Sequence, residues 1–167
     1  LIVVDELYEA FTGDSLLPII DFEKTPNLLV LRSLSKTSGL AGLRIGFAIG
    51  NKKIIHNISK VTGPYDVNSF AVTAAIAALE DQDYINEYVN EVLLAKKWLK
   101  KQLEINNVKH HIEGGNYLLI WPKNEAEKIE YLLKKEGILI RRMKNKYMIS
   151  ESFRLSIGTT EQMKYFW

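Results

Sequence analysis

Cysteine is absent from this chain, which excludes disulfides and thiolate metal sites and fits a reducing, cytosolic compartment. Histidine is scarce, with three in 167 residues. His110 and His111 adjoin on a candidate strand and therefore point to opposite faces, while His56 stands alone, so no metal site is expected. A strong charge bias is also missing. The formal net charge is +2, too small to argue for a nucleic-acid partner, and no basic block is interleaved with aromatics. No apolar run approaches the roughly 18 residues of a membrane span. The opening Leu1-Ile2-Val3-Val4-Asp5 has neither an initiator methionine nor a positive leader, so it reads as a strand entered mid-chain and not as a signal peptide. The closing Met163-Lys164-Tyr165-Phe166-Trp167 reads as a helix broken off, and both ends are expected to be cut.

What is present is ordinary globular material. With 47% hydrophobic and 25% charged residues, the chain can build one good core or two small ones. Its centre of gravity is Ser33-Leu34-Ser35-Lys36-Thr37-Ser38-Gly39-Leu40-Ala41-Gly42-Leu43-Arg44-Ile45-Gly46. Apolar runs at 27–31 and 45–49 bracket it and suit buried strands, so Lys36 is placed on a loop at a strand's carboxyl end, where open α/β sheets hold ligands. A lysine becomes a covalent nucleophile when its amine is deprotonated and held against a carbonyl. Nearby positive charge favours that neutral form, and Arg44 is suited to supply it. Ser33, Ser35 and Arg44 offer hydroxyl donors and a guanidinium fork for a phosphate. Gly39, Gly42 and Gly46 allow close backbone approach or a positive φ. The chemistry implied is capture of a phosphorylated aldehyde. A nucleotide phosphate loop is rejected, because its lysine directly follows the last glycine and Lys36 precedes Gly39.

The remaining pattern supplies the frame. Residues 1–4 read as a strand, 52–61 as a short helix, and Thr62-Gly63-Pro64 as a turn. Asn68 or Ser69 caps a helix over 70–79 that is apolar on nearly every side, so it is expected to be buried between domains or subunits. Residues 84–103 form a long amphipathic helix with Ile85, Tyr88, Val89, Val92, Leu99 and Leu103 on one stripe; its paired lysines, 96–97 and 100–101, face water or snorkel over apolar surface and are assigned no function. Strands follow at 108–112 and 116–121, joined by Gly114-Gly115, then a helix over 125–136 stopped by Gly137. Further strands are expected at 138–141 and 153–157, and Thr159 with Gln162 forms a capping box.

The lysine stretch resembles the cofactor-lysine motif of fold-type I aminotransferases that use pyridoxal phosphate, and Leu40-Ala41-Gly42-Leu43-Arg44 is similar to their histidinol-phosphate aminotransferase branch. Val3-Val4-Asp5-Glu6-Leu7-Tyr8, Pro64-Tyr65-Asp66-Val67-Asn68 and Phe153-Arg154-Leu155-Ser156-Ile157-Gly158-Thr159 agree with that family in order and spacing. The likeness runs over nearly the whole chain and covers about the second half of such an enzyme.

The resemblance implies an α/β fold. Residues 1–83 are then part of the mixed sheet of the large cofactor domain, and 84–167 are a linking helix and a small α+β domain. It implies pyridoxal 5'-phosphate as cofactor, held on Lys36 as an aldimine, with Lys36 afterwards moving the proton of the substrate α-carbon. Asp5 matches the acid that keeps the pyridine nitrogen protonated, and Tyr8 matches the tyrosine on the cofactor's phenolic oxygen. Ser33, Ser35 and Arg44 anchor the cofactor phosphate, Arg154 clamps the substrate carboxylate, and Arg141 takes the substrate phosphate or a second carboxylate. Arg142, on the opposite face from Arg141, is read as a surface residue. The implied substrates are L-histidinol phosphate and 2-oxoglutarate (glutamate in reverse), in a cytoplasmic homodimer when full length, with neither nucleic acid nor membrane as partner. A related aromatic aminotransferase, a threonine-phosphate decarboxylase and an inactive scaffold are the competing readings. A glycine-rich phosphate turn, a ring-stacking aromatic, an asparagine and a partner-subunit tyrosine are expected of the family and lie outside these residues, so the piece alone is expected to be inactive.

Overall fold

The structure is a computed structural model that describes residues 1–123 and 125–167. It divides into two compact units, Leu1–Tyr88 and Val89–Trp167. The first is built on a mixed three-stranded sheet. Strand β1 (Ile2–Asp5) lies parallel to β2 (Leu28–Ser33), and β3 (Gly46–Gly50) runs antiparallel to β2. Leu28, Leu29 and Val30 are buried, as an uninterrupted apolar run demands, whereas Ile2 and Val3 remain about half exposed. A single-turn helix α1 (Glu9–Thr12), which the sequence pattern did not signal, follows β1 and buries Phe11.

Helix α2 (Lys52–Ser59) is capped by buried Asn51, which accepts the Lys53 N–H at 3.0 Å. Helix α3 (Ser69–Glu80) starts at Asn68, whose side chain accepts the Ala71 N–H at 2.8 Å. Within this chain α3, expected to be buried between domains or subunits, is covered on one side. Ala71 and Ala75 pack on Leu34 and Ile45, but Phe70 is 82% exposed and Val72, Ile76 and Leu79 also face outward. Thus the small residues of α3 support the two flanks of the lysine loop, and its larger apolar side chains have no cover among the described residues.

Helix α4 (Gln82–Ile105) crosses the division between the units. Its Val89, Val92, Ala95, Leu99 and Leu103, three or four residues apart, bury one stripe in the second unit. There β4 (Lys109–His111), β5 (Tyr117–Trp121), β6 (Arg141–Arg142) and β7 (Phe153–Ser156) form an antiparallel sheet ordered β4-β5-β7-β6. Helix α5 (Ala126–Lys135) is stopped by Gly137, which takes a left-handed φ of 76°. The strand expected over 138–141 is confined to Arg141–Arg142, because the Ile138 N–H closes the end of α5 on the Leu133 carbonyl at 2.9 Å and is not free for a ladder. Helix α6 (Thr160–Phe166) opens on the expected capping box of Thr159 and Gln162. No helix among the described residues is long and apolar enough to cross a membrane.

Candidate active site

The register of the first sheet brings the strand ends that carry the sequence-predicted cofactor residues to one end. Asp5 closes β1 opposite Leu31, and Ser33 closes β2 opposite Gly46, the first residue of β3. The chain then leaves β2 through Leu34-Ser35-Lys36 and returns to β3 through a short 3₁₀ turn, Leu40–Leu43, followed by Arg44. Two sites in this loop need special backbone. Gly39 has φ +68°, and a side chain on Gly46 would lie 3.1 Å from the Arg32 carbonyl. Gly42 has open space and an ordinary φ, so the freedom expected of it is not used. Arg44, not a glycine, takes a left-handed φ of 56°, a sparsely populated state for an L-residue.

The side chains are arranged as follows. Lys36 is half-buried, with Nζ 6.0 Å from the centroid of the Tyr8 ring. Ser33 Oγ lies 2.8 Å from Ser35 Oγ, accepts the Ser35 N–H at 3.1 Å, and is 3.3 Å from the Ile45 carbonyl. The exposed Asp5 carboxylate accepts the Leu7 N–H at 3.0 Å. Arg44, also exposed, donates from Nη1 to the Ala41 carbonyl at 3.2 Å. Lys36 and Tyr8 are thus near each other, as are Ser33 and Ser35. Asp5 and Arg44 stand at the same sheet end, each held by its local bond to the backbone. The set offers an amine, a carboxylate, a phenol, and hydroxyl and guanidinium donors.

Behind it lies a half-buried cluster around the buried Glu6, which sequence reasoning missed. Glu6, with its side chain 5% exposed, accepts the Leu16 N–H at 2.7 Å, the Ser15 hydroxyl at 3.0 Å and Arg32 Nε at 2.8 Å. Arg32 also pairs with Glu9 and donates from Nη2 to Ser15 Oγ at 2.9 Å. Burial by itself raises the Glu6 carboxyl pKa, but the Leu16 amide, the Ser15 hydroxyl and Arg32 outweigh it and hold the group below its ordinary value. The available signal was an arginine inside an apolar strand with an acid one residue beyond a second strand.

In the second unit, Arg141 and Arg154 face each other directly across β6 and β7. Arg141 is exposed, whereas the half-buried Arg154 guanidinium stacks over the Tyr117 ring at 3.9 Å. Arg142 is not the surface residue expected. Its side chain is 10% exposed and pairs with Glu127 at 3.3 Å and Glu130 at 3.6 Å on α5. Of the lysines expected to face water or snorkel, Lys96 donates to the Gly115 carbonyl at 2.9 Å, and its burial lowers the amine's pKa against the opposing pull of Glu113.

The chain is similar to known proteins along its whole length. The family described as Aminotransferase class I and II matches residues 1–167. The histidinol-phosphate aminotransferase of Clostridium botulinum is 35% identical over 170 aligned positions, covering 99% of this chain and 47% of that protein. The chain therefore spans about half the length of the curated relatives it matches. Among solved structures, the histidinol-phosphate aminotransferase from Clostridium acetobutylicum is 30% identical with a TM-score of 0.84, over 98% of this chain and 51% of that one. The enzyme of that name from Sinorhizobium meliloti, solved in complex with pyridoxal-5'-phosphate, is 25% identical with a TM-score of 0.81, over 97% of this chain and 45% of that one. By its fold and by the match along its whole length, the chain belongs to the class I and II aminotransferase family.

Proposed function

We propose that this chain forms about half of a pyridoxal-phosphate-dependent aminotransferase that exchanges an amino group between L-histidinol phosphate and 2-oxoglutarate. The observation that carries this reading is the 35% identity to a histidinol-phosphate aminotransferase across 99% of the chain. The residues at the sheet end fit the cofactor by their chemistry. Ser33, Ser35 and Arg44 would hold its phosphate, Asp5 its ring nitrogen, Tyr8 its phenolic oxygen and Lys36 its aldehyde carbon. When bound, the cofactor supplies an electron sink for the pair left on the substrate α-carbon.

The residues then have separate tasks. The Lys36 amine would take the proton from the substrate α-carbon and deliver it to the cofactor carbon that carried the aldehyde. The Asp5 carboxylate stabilises positive charge at the ring nitrogen, because opposite charge nearby favours the protonated form. Arg154 takes the substrate carboxylate bidentately, and Arg141 takes the phosphate of one substrate or the second carboxylate of the other. Residues 1–83 are assigned to the cofactor domain and 84–167 to a linking helix with the small domain. The full-length protein acts as a cytoplasmic homodimer; the uncovered apolar side of α3 supports further chain packing on this half.

The test uses the full-length protein. Glutamate is measured after mixing histidinol phosphate with 2-oxoglutarate, and borohydride reduction followed by peptide mass spectrometry locates bound cofactor. Turnover and a label on Lys36, both lost in Lys36→Ala, are expected. Turnover of phenylalanine instead, or carbon dioxide release from threonine phosphate, would replace the substrate assignment. An unlabelled, inactive full-length protein would make the chain a scaffold.

A further inference from the structure

We propose that Arg32 is a positioning residue, the centre of a clamp that fixes the exits of β1 and β2 relative to each other and so sets the spacing between Asp5 and Tyr8 on one exit and Ser33, Ser35 and Lys36 on the other. The inference rests on the cofactor reading above.

The backbone ladder alone does not reach the site. The last bond between these strands runs from the Glu6 N–H to the Leu31 carbonyl at 2.9 Å. One chain then turns into α1, and the other enters the lysine loop. Beyond that bond, Arg32 holds the exits together with all three guanidinium nitrogens. Nε reaches Glu6 at 2.8 Å, Nη1 reaches Glu9, and Nη2 reaches Ser15 Oγ at 2.9 Å. These acceptors sit just after β1, within α1, and in the segment after it. Ser15 and Glu6 are also bonded at 3.0 Å, so the cluster is closed on itself.

Strand alternation separates the clamp from the reacting groups. Asp5 is opposite Leu31, so Glu6 and Arg32, one residue further along each parallel strand, share a face. Asp5 and Ser33 have the other parity. Arg32 therefore pulls on the two exits from behind without entering the cofactor side. A guanidinium can make three divergent bonds in a fixed plane, whereas an ammonium cannot reproduce that fork. A shift of about 1 Å in a reacting group can cost about 10²-fold in rate.

The experiment is made on the full-length holoenzyme with Arg32→Lys and Arg32→Met. The readouts are kcat, KM, the pH midpoint of the visible absorption of the lysine-bound cofactor, and the melting temperature. Expected are a fall in kcat of about 10- to 100-fold, little change in KM, and a displaced absorption midpoint at a temperature where the variants remain folded. A lower melting temperature with kcat and midpoint unchanged would reduce the clamp to a structural tie and overturn the proposal. Should both variants fail to fold, Ser15→Ala removes one arm alone, with an expected fall in kcat of about five-fold for one lost hydrogen bond. Wild-type kcat and midpoint in that protein would likewise overturn it. A wild-type protein with neither absorption nor turnover removes the cofactor reading and the clamp's role together, an outcome distinct from an active wild type with indifferent variants.

Discussion

Replacing Glu6 with alanine isolates the energy of the buried pair. The carboxylate is 5% exposed and receives the Leu16 amide, the Ser15 hydroxyl and Arg32 Nε. Removing one partner of a buried ion pair costs about 3–5 kcal/mol, because a charge and its donors remain without compensation. Two features move Glu6→Ala toward the lower end. The Arg32 side chain is 25% exposed, and Glu9 stays as its second acid. The expected loss of stability at neutral pH is therefore about 3 kcal/mol. It should show in urea as a lower midpoint with an unchanged slope. The pH dependence follows from the direction of the Glu6 shift. Its folded-state pKa lies below the ordinary carboxylate value of about 4.3. Its stabilisation is consequently complete above that value and is lost as the pH falls toward the folded-state pKa. The gap between wild type and variant should be constant from neutral pH to about pH 5 and close in stronger acid. A gap below about 1 kcal/mol at neutral pH, the size expected of an exposed pair, would refute the buried-clamp description. So would a gap that stays constant into acid.

Three other substitutions test separate parts of the structure. Asn68→Ala removes the cap of α3, with its 2.8 Å bond from Ala71 and its 3.3 Å bond to the Leu43 carbonyl, and should cost about 1 kcal/mol in urea unfolding. Leu99→Ala opens a cavity at a fully buried position of α4 and should cost about 3–5 kcal/mol by the same measurement. Tyr117→Leu removes the ring beneath Arg154 and should raise the KM of a carboxylate substrate about 2- to 30-fold, the equivalent of about 0.5–2 kcal/mol, while Tyr117→Phe keeps the face and stays near wild type.

The lysine loop was legible because its strands, turn and lysine lie within one short stretch, where apolar runs and glycines report the local backbone directly. Burial was less legible where it depends on what lies beyond the chain. The composition of α3 demands a covered surface, but only Ala71 and Ala75 are buried here, and no periodicity says what meets Phe70. Arg141 and Arg142 show a different difficulty. Alternation correctly separates them to opposite faces, yet it cannot decide which face meets α5; the acids Glu127 and Glu130 decide it in favour of Arg142. The strand expected at 138–141 was shortened by a competing demand, since Ile138 uses its amide to finish a helix. The end point of Lys96 was not legible, because its partner, the Gly115 carbonyl, is a tertiary contact nineteen residues away.

The same alternation explains why the clamp was hidden beside the site. Asp5 and Glu6 are neighbours in sequence, as are Arg32 and Ser33, but the pleat sends each neighbour to a different face. One member of each pair is available to a ligand and the other joins the ion cluster. A slip of one residue between β1 and β2 would exchange these roles, setting Arg32 on the ligand side and Ser33 against the acids. Both faces therefore select the same register, with Glu6 opposite Arg32 behind and Asp5 beside the Ser33 strand end in front. The catalytic geometry proposed for Lys36 depends on that register more than on the loop that carries it. The loop can present an amine, but only the pairing of the two strands decides whether Asp5 or Glu6 shares the face of Ser33.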